Sequence, residues 1–279
     1  MIKWKASTKI SYLVIAATIT ILLMTGCSST EQATNGETVE YDKNEHYVMA
    51  VLWFQTAAEA QALYYQAFNL AEMKLDEALQ SHTGGEKLAV IVDIDETVLD
   101  NSPCRAELIK TDKDYATCWL EWIDLAEAKP LSGAKEFLDY TASCGVEVFY
   151  VSNRFEAQRE VTIENLVSVG FPYADDDHIY LREGGPSKES RRQAIAENYE
   201  IILLIGDNVN DFTDVFQDKL VPDRAAEVDS LKDEFGNTFI VLPNPMYGDW
   251  KDAVYEYERP LSDEEKDSLR KEMLEGYSE

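Results

Sequence analysis

The sequence predicts an α/β protein: a doubly wound parallel sheet with helices on both faces and a small, mainly helical cap. Two patterns carry that expectation. Short, mainly apolar runs at 88–92, 146–151, 179–181, 201–205 and 238–242 alternate with segments of helical periodicity, the first strand being read as 88–94. Strands buried on both faces and joined by helical crossovers read this way. The second pattern is where the runs stop. Asp93 and Asp95 follow the first, Ser152, Asn153 and Arg154 the second, and Asp207 and Asp211 the fourth. In open parallel sheets ligands bind beyond the carboxyl ends of the strands.

The bounds are broad. A chain of 279 residues with 45% hydrophobic and 11% aromatic residues can bury one large core with an appendage, or form two domains. A formal charge of −28 argues against nucleic-acid polymers or anionic lipid surfaces as main partners and reads first as solubility. A protein so acidic must neutralise its own site, by a metal and a few basic residues, if its substrate is an anion.

The N-terminus is read apart from the fold. Lys3, Lys5 and Lys9 precede an apolar run, Ile10 to Met24, that is short for a membrane span and has the layout of a signal peptide. Thr25-Gly26-Cys27 closes it in a way that resembles a bacterial lipobox. By that resemblance Cys27 is diacylated, begins the mature chain and holds it to a lipid bilayer. An uncleaved N-terminal anchor is the alternative. Residues 1–26 are thus read as a leader, 27–44 as a flexible tether and 45–279 as the folded domain. Cys104, Cys118 and Cys144 remain, an odd number that leaves at least one thiol free. Whether Cys104 and Cys118 pair is open. His46, His82 and His178 lack zinc-like spacing.

Residues 45–82 read as one long helix, from Ala60, Leu63, Ala67, Leu70, Ala71, Leu75 and Ala78, stopped by Gly84-Gly85. Its aromatic first half either packs on the body or offers Trp53 or Phe54 to a substrate pocket. After the first strand, Asn101-Ser102-Pro103 marks a break. Residues 104–130, with Tyr115, Trp119 and Trp122, read as a small helical insertion. Helices are expected at about 133–143, 156–169 and 187–199, the last opening with Lys188, Arg191 and Arg192, and a charged helix at 260–279. This gives a core of about 86–103 and 130–245, with a cap from 45–82 and 104–130. Gly-x-Gly-x-x-Gly and P-loop patterns are absent.

The chemistry begins with a period of two. Asp93 and Asp95 leave an extended segment on one side while Ile94 turns into the core. Two such carboxylates persist together if a cation lies between them or one is protonated. Both conditions suit phosphoryl transfer, with one acid as nucleophile beside a divalent metal and the other as proton donor. The string Asp93-Ile94-Asp95-Glu96-Thr97 resembles the Asp-x-Asp-x-Thr motif of the haloacid dehalogenase (HAD) superfamily. Followed by Ser152, Lys188 and Gly206-Asp207-Asn208-Val209-Asn210-Asp211-Phe212, it looks more specifically like the class C acid phosphatases. These are bacterial lipoprotein phosphatases that include lipoprotein 5′-nucleotidases, and the resemblance covers about residues 45–260.

That resemblance implies a HAD-like fold and a set of roles. Asp93 would form an aspartyl-phosphate, and Asp95 would protonate the leaving alcohol and then activate water. Asp93, the main-chain carbonyl of Asp95, and Asp207 would hold one Mg²⁺ per chain, with Mn²⁺ and Co²⁺ as alternatives and Asp211 close to the metal. Ser152, Asn153 and Lys188 would hold the phosphoryl oxygens. Tyr247 and Trp119, with Trp53, would wall an aromatic leaving-group pocket suited to nucleoside monophosphates and aryl phosphates. The family usually has Tyr where this chain has Cys104, a change that bears on substrate preference more than on the chemistry. The implied protein is an extracytoplasmic acid phosphatase anchored to the cell membrane or an outer membrane. A phosphotransferase and a non-catalytic binding or adhesion lipoprotein are the alternatives. Oligomeric state, a dimer included, is left open.

Overall fold

The computed structural model describes residues 44–111 and 113–277. The leader and Cys27 lie outside the described residues, as does all of the tether but Asn44. No helix among the described residues is long and apolar enough to cross a membrane.

Strand β1 (Lys87–Val92) is the centre of a five-stranded parallel sheet. A two-residue strand β2 (Leu99–Asp100) follows and pairs antiparallel with β3 (Lys129–Pro130) as a separate ribbon. The main sheet is completed by β4 (Glu147–Phe155), β5 (Ile179–Arg182), β6 (Tyr199–Gly206) and β7 (Phe239–Val241), in the order β5-β4-β1-β6-β7. From β1 the chain builds outward through β4 and β5, then returns to place β6 on the other side. The reversal opens a crevice at the carboxyl end of β1, which is where such sheets bind ligands. The alternation of β1 divides the core. Val90 and Val92 face a large cluster with Phe68, Leu75, Phe137 and Leu138, whereas Ala89 and Ile91 face Ile195, Phe212 and Phe239. Apolar residues are therefore needed at every position of β1 from Leu88 on.

The expected single helix over 45–82 is broken. A short 3₁₀ turn leads into α1 (Val48–Thr56), and α2 (Ala58–Ser81) begins after Ala57, whose ψ of 127° is extended. The two helices serve different neighbours. α1 packs on α3 (Ser102–Thr111) of the insertion, while α2 lies against β6, β7 and α5 (Ala134–Ser143). One straight rod could not reach both. Phe54 and Tyr64 meet edge-to-face at 5.8 Å across the break. α2 also stops at Ser81, ahead of the two glycines.

The insertion is helical, as expected, but Pro103 lies at the start of α3 instead of breaking the chain, since a first-turn proline lacks no needed N–H. Asp114 caps α4 (Tyr115–Ile123) by accepting from the Thr117 N–H and hydroxyl. Cys104, Leu108 and Cys118 form a small separate core beneath Trp119 and Trp122. The β2–β3 ribbon closes the base of this insertion, since its two strands flank α3 and α4 in the chain.

β4 runs four residues further than its apolar core, through Ser152, Asn153 and Arg154 to Phe155. α6 (Arg159–Ser168) and α7 (Glu189–Ala196) match expected helices. α8 (Val221–Ser230) and α9 (Asp249–Val254) do not, because each buries a single residue, Arg224 and Ala253 respectively. Without an apolar stripe there is no periodicity to read. α10 (Asp263–Glu272) is the charged tail helix, closed by a Ser262–Glu265 capping box.

Candidate active site

The acidic side chains stand just beyond strand ends, and Lys188 at the start of α7. The Asp93 N–H still bonds the Ile205 carbonyl at 2.9 Å, so the sheet ladder fixes its backbone. Ile94 is fully buried, and Glu96 takes a positive φ of 57° that turns the chain into the ribbon. Tyr64 on α2 secures this turn by donating to the Glu96 carbonyl at 2.6 Å. Beyond β6, the Asn208 N–H bonds Asp211 at 3.0 Å in a capped 3₁₀ turn, which aims Asp211 back at the strand end.

Asp93, Asp207 and Asp211 each present a carboxylate oxygen within 4.8 Å of the others. Lys188, 3% exposed at the start of α7, bonds Asp93 and lies 2.7 Å from Asp211. Asp207 accepts from Asn244 at 2.7 Å, and its N–H bonds the Thr97 hydroxyl at 3.1 Å. Burial, offset in part by Lys188 and reinforced by Asp211 and Asp95, pushes Asp93 up to about 7. Burial, then Asp211 and Asp93, holds Asp207 well above the carboxylate range. Burial works against the Lys188 ammonium, but Asp211 and Asp93 outweigh it and keep it charged. Three carboxylates thus share one ammonium, a deficit that one divalent cation would balance. The donors are hard oxygens that converge, two of them on buried residues and Asp207 half-buried, which suits such an ion. On these grounds the site fits a divalent metal held by Asp93, Asp207 and Asp211.

Asp95 belongs to a second cluster. Arg154, 2% exposed, grips it through Nε at 3.0 Å and a terminal nitrogen at 2.8 Å. Asn101 donates to it at 2.8 Å and Ser152 at 3.3 Å. Its carboxylate therefore lies outside the three-acid group. The sequence shows Arg154 at a strand end but not its partner. An arginine two residues after a strand-end serine is the signal that could have found it.

The model of the HAD superfamily, subfamily IIIB (acid phosphatase), matches residues 15–250. The chain belongs to this family. The structure is similar to that of the class C acid phosphatase from Bacillus anthracis with tungstate bound, at 46% identity and a TM-score of 0.83, over 85% of this chain and 100% of that one. A second structure of the Bacillus anthracis enzyme matches at 45% identity and a TM-score of 0.82, with the same coverage. Among curated proteins it is similar to acid phosphatase 1 of Solanum lycopersicum, 26% identical over 56% of this chain and 57% of that protein. Vegetative storage protein 1 of Arabidopsis thaliana is 25% identical over 56% of this chain and 54% of that protein. The chain spans about half the length of these curated relatives.

Within this acid phosphatase fold the remaining expected residues divide. Ser152 is fully buried and adjoins Asp95, whereas Asn153 is exposed and accepts from Arg191 at 2.7 Å. Tyr247 and Trp119 are brought to one place through Arg105 and Tyr115. The Arg105 guanidinium lies over Tyr247 and Tyr115, and Tyr115 stacks on Trp119 at 6.0 Å. Trp53 instead packs on the main core. A hollow of about 800 Å³ is lined by residues of β5 and α7 and does not include Asp93, Asp95, Asp207 or Asp211, so it is separate from this site.

Proposed function

We propose that the chain is an exported, lipid-anchored phosphomonoesterase that works through an aspartyl-phosphate. Asp93 attacks phosphorus, the ester P–O bond breaks, and Asp95 gives its proton to the departing alcohol. Water then attacks the aspartyl-phosphate while Asp95 takes its proton, and phosphate leaves. Asp93 lies beside Lys188 for this role, and Arg154, Asn101 and Ser152 fix the orientation of Asp95. Phosphoryl transfer depends mainly on positioning and electrostatic stabilisation, so Lys188 and Ser152 are read as holding the phosphoryl oxygens. A divalent cation at Asp93, Asp207 and Asp211, read as one Mg²⁺ per chain, would offset the charge of phosphate and carboxylates. The tungstate in the Bacillus anthracis enzyme, a tetrahedral oxyanion, is in keeping with a phosphate-sized site.

The single observation that carries the reading is the juxtaposition of Asp93, at the end of the central strand, with Lys188, Asp207 and Asp211 in a member of this family. Tyr247 and Trp119 favour aromatic leaving groups, nucleoside monophosphates and aryl phosphates among them. The anchor rests on Lys3, Lys5, Lys9, the apolar run and Cys27. A Cys27→Ala chain that leaves the membrane fraction would support it, and one that stays there would refute acylation at Cys27.

The test is phosphate release from phenyl phosphate and a nucleoside monophosphate, with Mg²⁺ or with chelator, beside Asp93→Asn. Metal-dependent release that vanishes in the variant is the expected result. Undiminished release by Asp93→Asn would reject Asp93 as nucleophile. No release from either ester by the native chain would favour a binding lipoprotein, and phosphate passed to an added alcohol would mark a phosphotransferase.

A further inference from the structure

Arg105 stands in α3 on the cap. It is 9% exposed. Its guanidinium carbon lies 4.4 Å from the centre of the Tyr115 ring and 4.1 Å from that of Tyr247. One ring belongs to the cap and the other to the loop after β7, so the cation is held between the two parts of the molecule. With both rings packed against the guanidinium, its N–H groups are the part left to hydrogen-bond. Among the described residues that edge has neither a hydrogen-bond acceptor nor a paired carboxylate. Its nitrogens are also not among the sealed polar atoms that lack partners, so the edge meets an opening.

The neighbouring cations are committed. Arg154 is bound to Asp95, Lys188 to Asp93 and Asp211, and Arg191 to the Ser152 and Ser187 carbonyls and Asn153. Of these four, Arg105 has its hydrogen-bonding edge unspent. It lies beside Tyr247, the ring read above as walling the leaving-group pocket, and its charge is felt at Glu96, next to Asp95 in the chain.

We propose that Arg105 is a specificity residue that reads a second anionic group, a carboxylate or a further phosphate, on the leaving-group portion of the ester. This rests on the phosphomonoesterase reading. A planar fork pinned between rings loses little freedom when it pairs with an oxyanion, and Arg pairs with carboxylate or phosphate in bidentate fashion. The preferred substrates are then phosphomonoesters with a second negative charge, such as carboxylated aryl phosphates and nucleoside bisphosphates. A neutral aromatic group would have to displace the guanidinium to enter the same slot.

The experiment compares phenyl phosphate with its 2-, 3- and 4-carboxy derivatives, and adenosine 5′-monophosphate with adenosine 3′,5′-bisphosphate, on the full chain in detergent. The native protein is expected to favour at least one doubly anionic ester by about tenfold in kcat/KM, mostly through KM, as a charge-assisted bond made in ground and transition states alike would give. Arg105→Met should bring that ratio close to unity, and Arg105→Lys should keep part of it. A native protein with no preference for any doubly anionic ester would overturn the proposal. So would a preference that survives in Arg105→Met, or a variant that gains equally on every ester, which would make the guanidinium a plug. If the native protein hydrolyses nothing, the reaction reading fails separately. Calorimetric binding of the same esters to native protein and Arg105→Met then decides the proposal by the ratio of dissociation constants.

Discussion

Arg154 shows how a single side chain can decide which of two neighbouring acids does which task. Asp93 faces an ammonium and two carboxylates, and Asp95, two residues on, faces a guanidinium fork. Removing the fork leaves a largely buried carboxylate with neutral partners. Arg154→Met is expected to destabilise the fold by about 3 kcal/mol, the scale for breaking a buried pair. It should also slow hydrolysis of alkyl phosphates by about 100-fold, the contribution of a positioned general acid, yet spare 4-nitrophenyl phosphate, whose leaving group needs little protonation. Equal losses on both esters would show that Arg154 does not act through Asp95. At this scale the sequence was partly legible. The spacing of Asp93, Asp95, Asp207 and Asp211 at strand ends located the site, because strand geometry fixes where those residues emerge. It did not assign partners, which depend on contacts across 59 residues for Arg154 and Asp95 and 95 for Lys188 and Asp93. Glu96 was legible only as part of a motif. That it is fully buried, with one oxygen on the Asn101 N–H and the other unpartnered, follows from the turn and not from the residue type.

Among the elements, β6 ends in a glycine for a reason of space. A Cβ on Gly206 would come within 2.2 Å of an Asp211 oxygen and 2.7 Å of the Asp211 Cβ. Gly206→Ala must therefore push Asp211 away from Lys188. The expected cost is about 1–3 kcal/mol of stability, as for other overpacked sites. Weaker cation binding, read by calorimetry, should accompany it, and unchanged affinity would show that Asp211 is not needed to hold the ion. The cap offers a second case. Cys104 and Cys118 are free, buried, and have their sulfurs 3.4 Å apart. Oxidised glutathione is expected to join them while half-buried Cys144 stays open to alkylation. Closing a loop of this size contributes about 3 kcal/mol, visible as a higher melting temperature. Three thiols still titratable after oxidation would contradict this. Elements with an apolar stripe or run, from β1 to α5, were readable because burial imposes a period. The break at Ala57 and the helices α8 and α9 were not, since the first answers to two separate packing partners and the others bury almost nothing.

At the scale of the whole molecule two kinds of negative charge must be told apart. The surface contributes most of the net charge of −28, and salt screens its self-repulsion. The buried acids of the crevice are screened far less. Asp93 is raised to about 7 and Asp207 is raised too, so the metal-free fold binds more protons than the unfolded chain, whose aspartates titrate near ~3.9. The stability these groups contribute is complete below that value and is lost as pH rises through the folded pKa. In chelator and high salt, melting should therefore fall between pH 5 and 7.5, and the fall should shrink in Asp93→Asn. A divalent cation favours the ionised acids and competes with protons, so its effect has the opposite sign. At about 100 times its dissociation constant it stabilises by ~2.7 kcal/mol, and the increment should be larger at pH 7.5 than at pH 5. Melting curves with and without Mg²⁺ at the two pH values read this directly. A cation effect of equal size at both would place the ion on ordinary surface carboxylates, and the charge deficit of the crevice would then be met in some other way than by a metal among Asp93, Asp207 and Asp211.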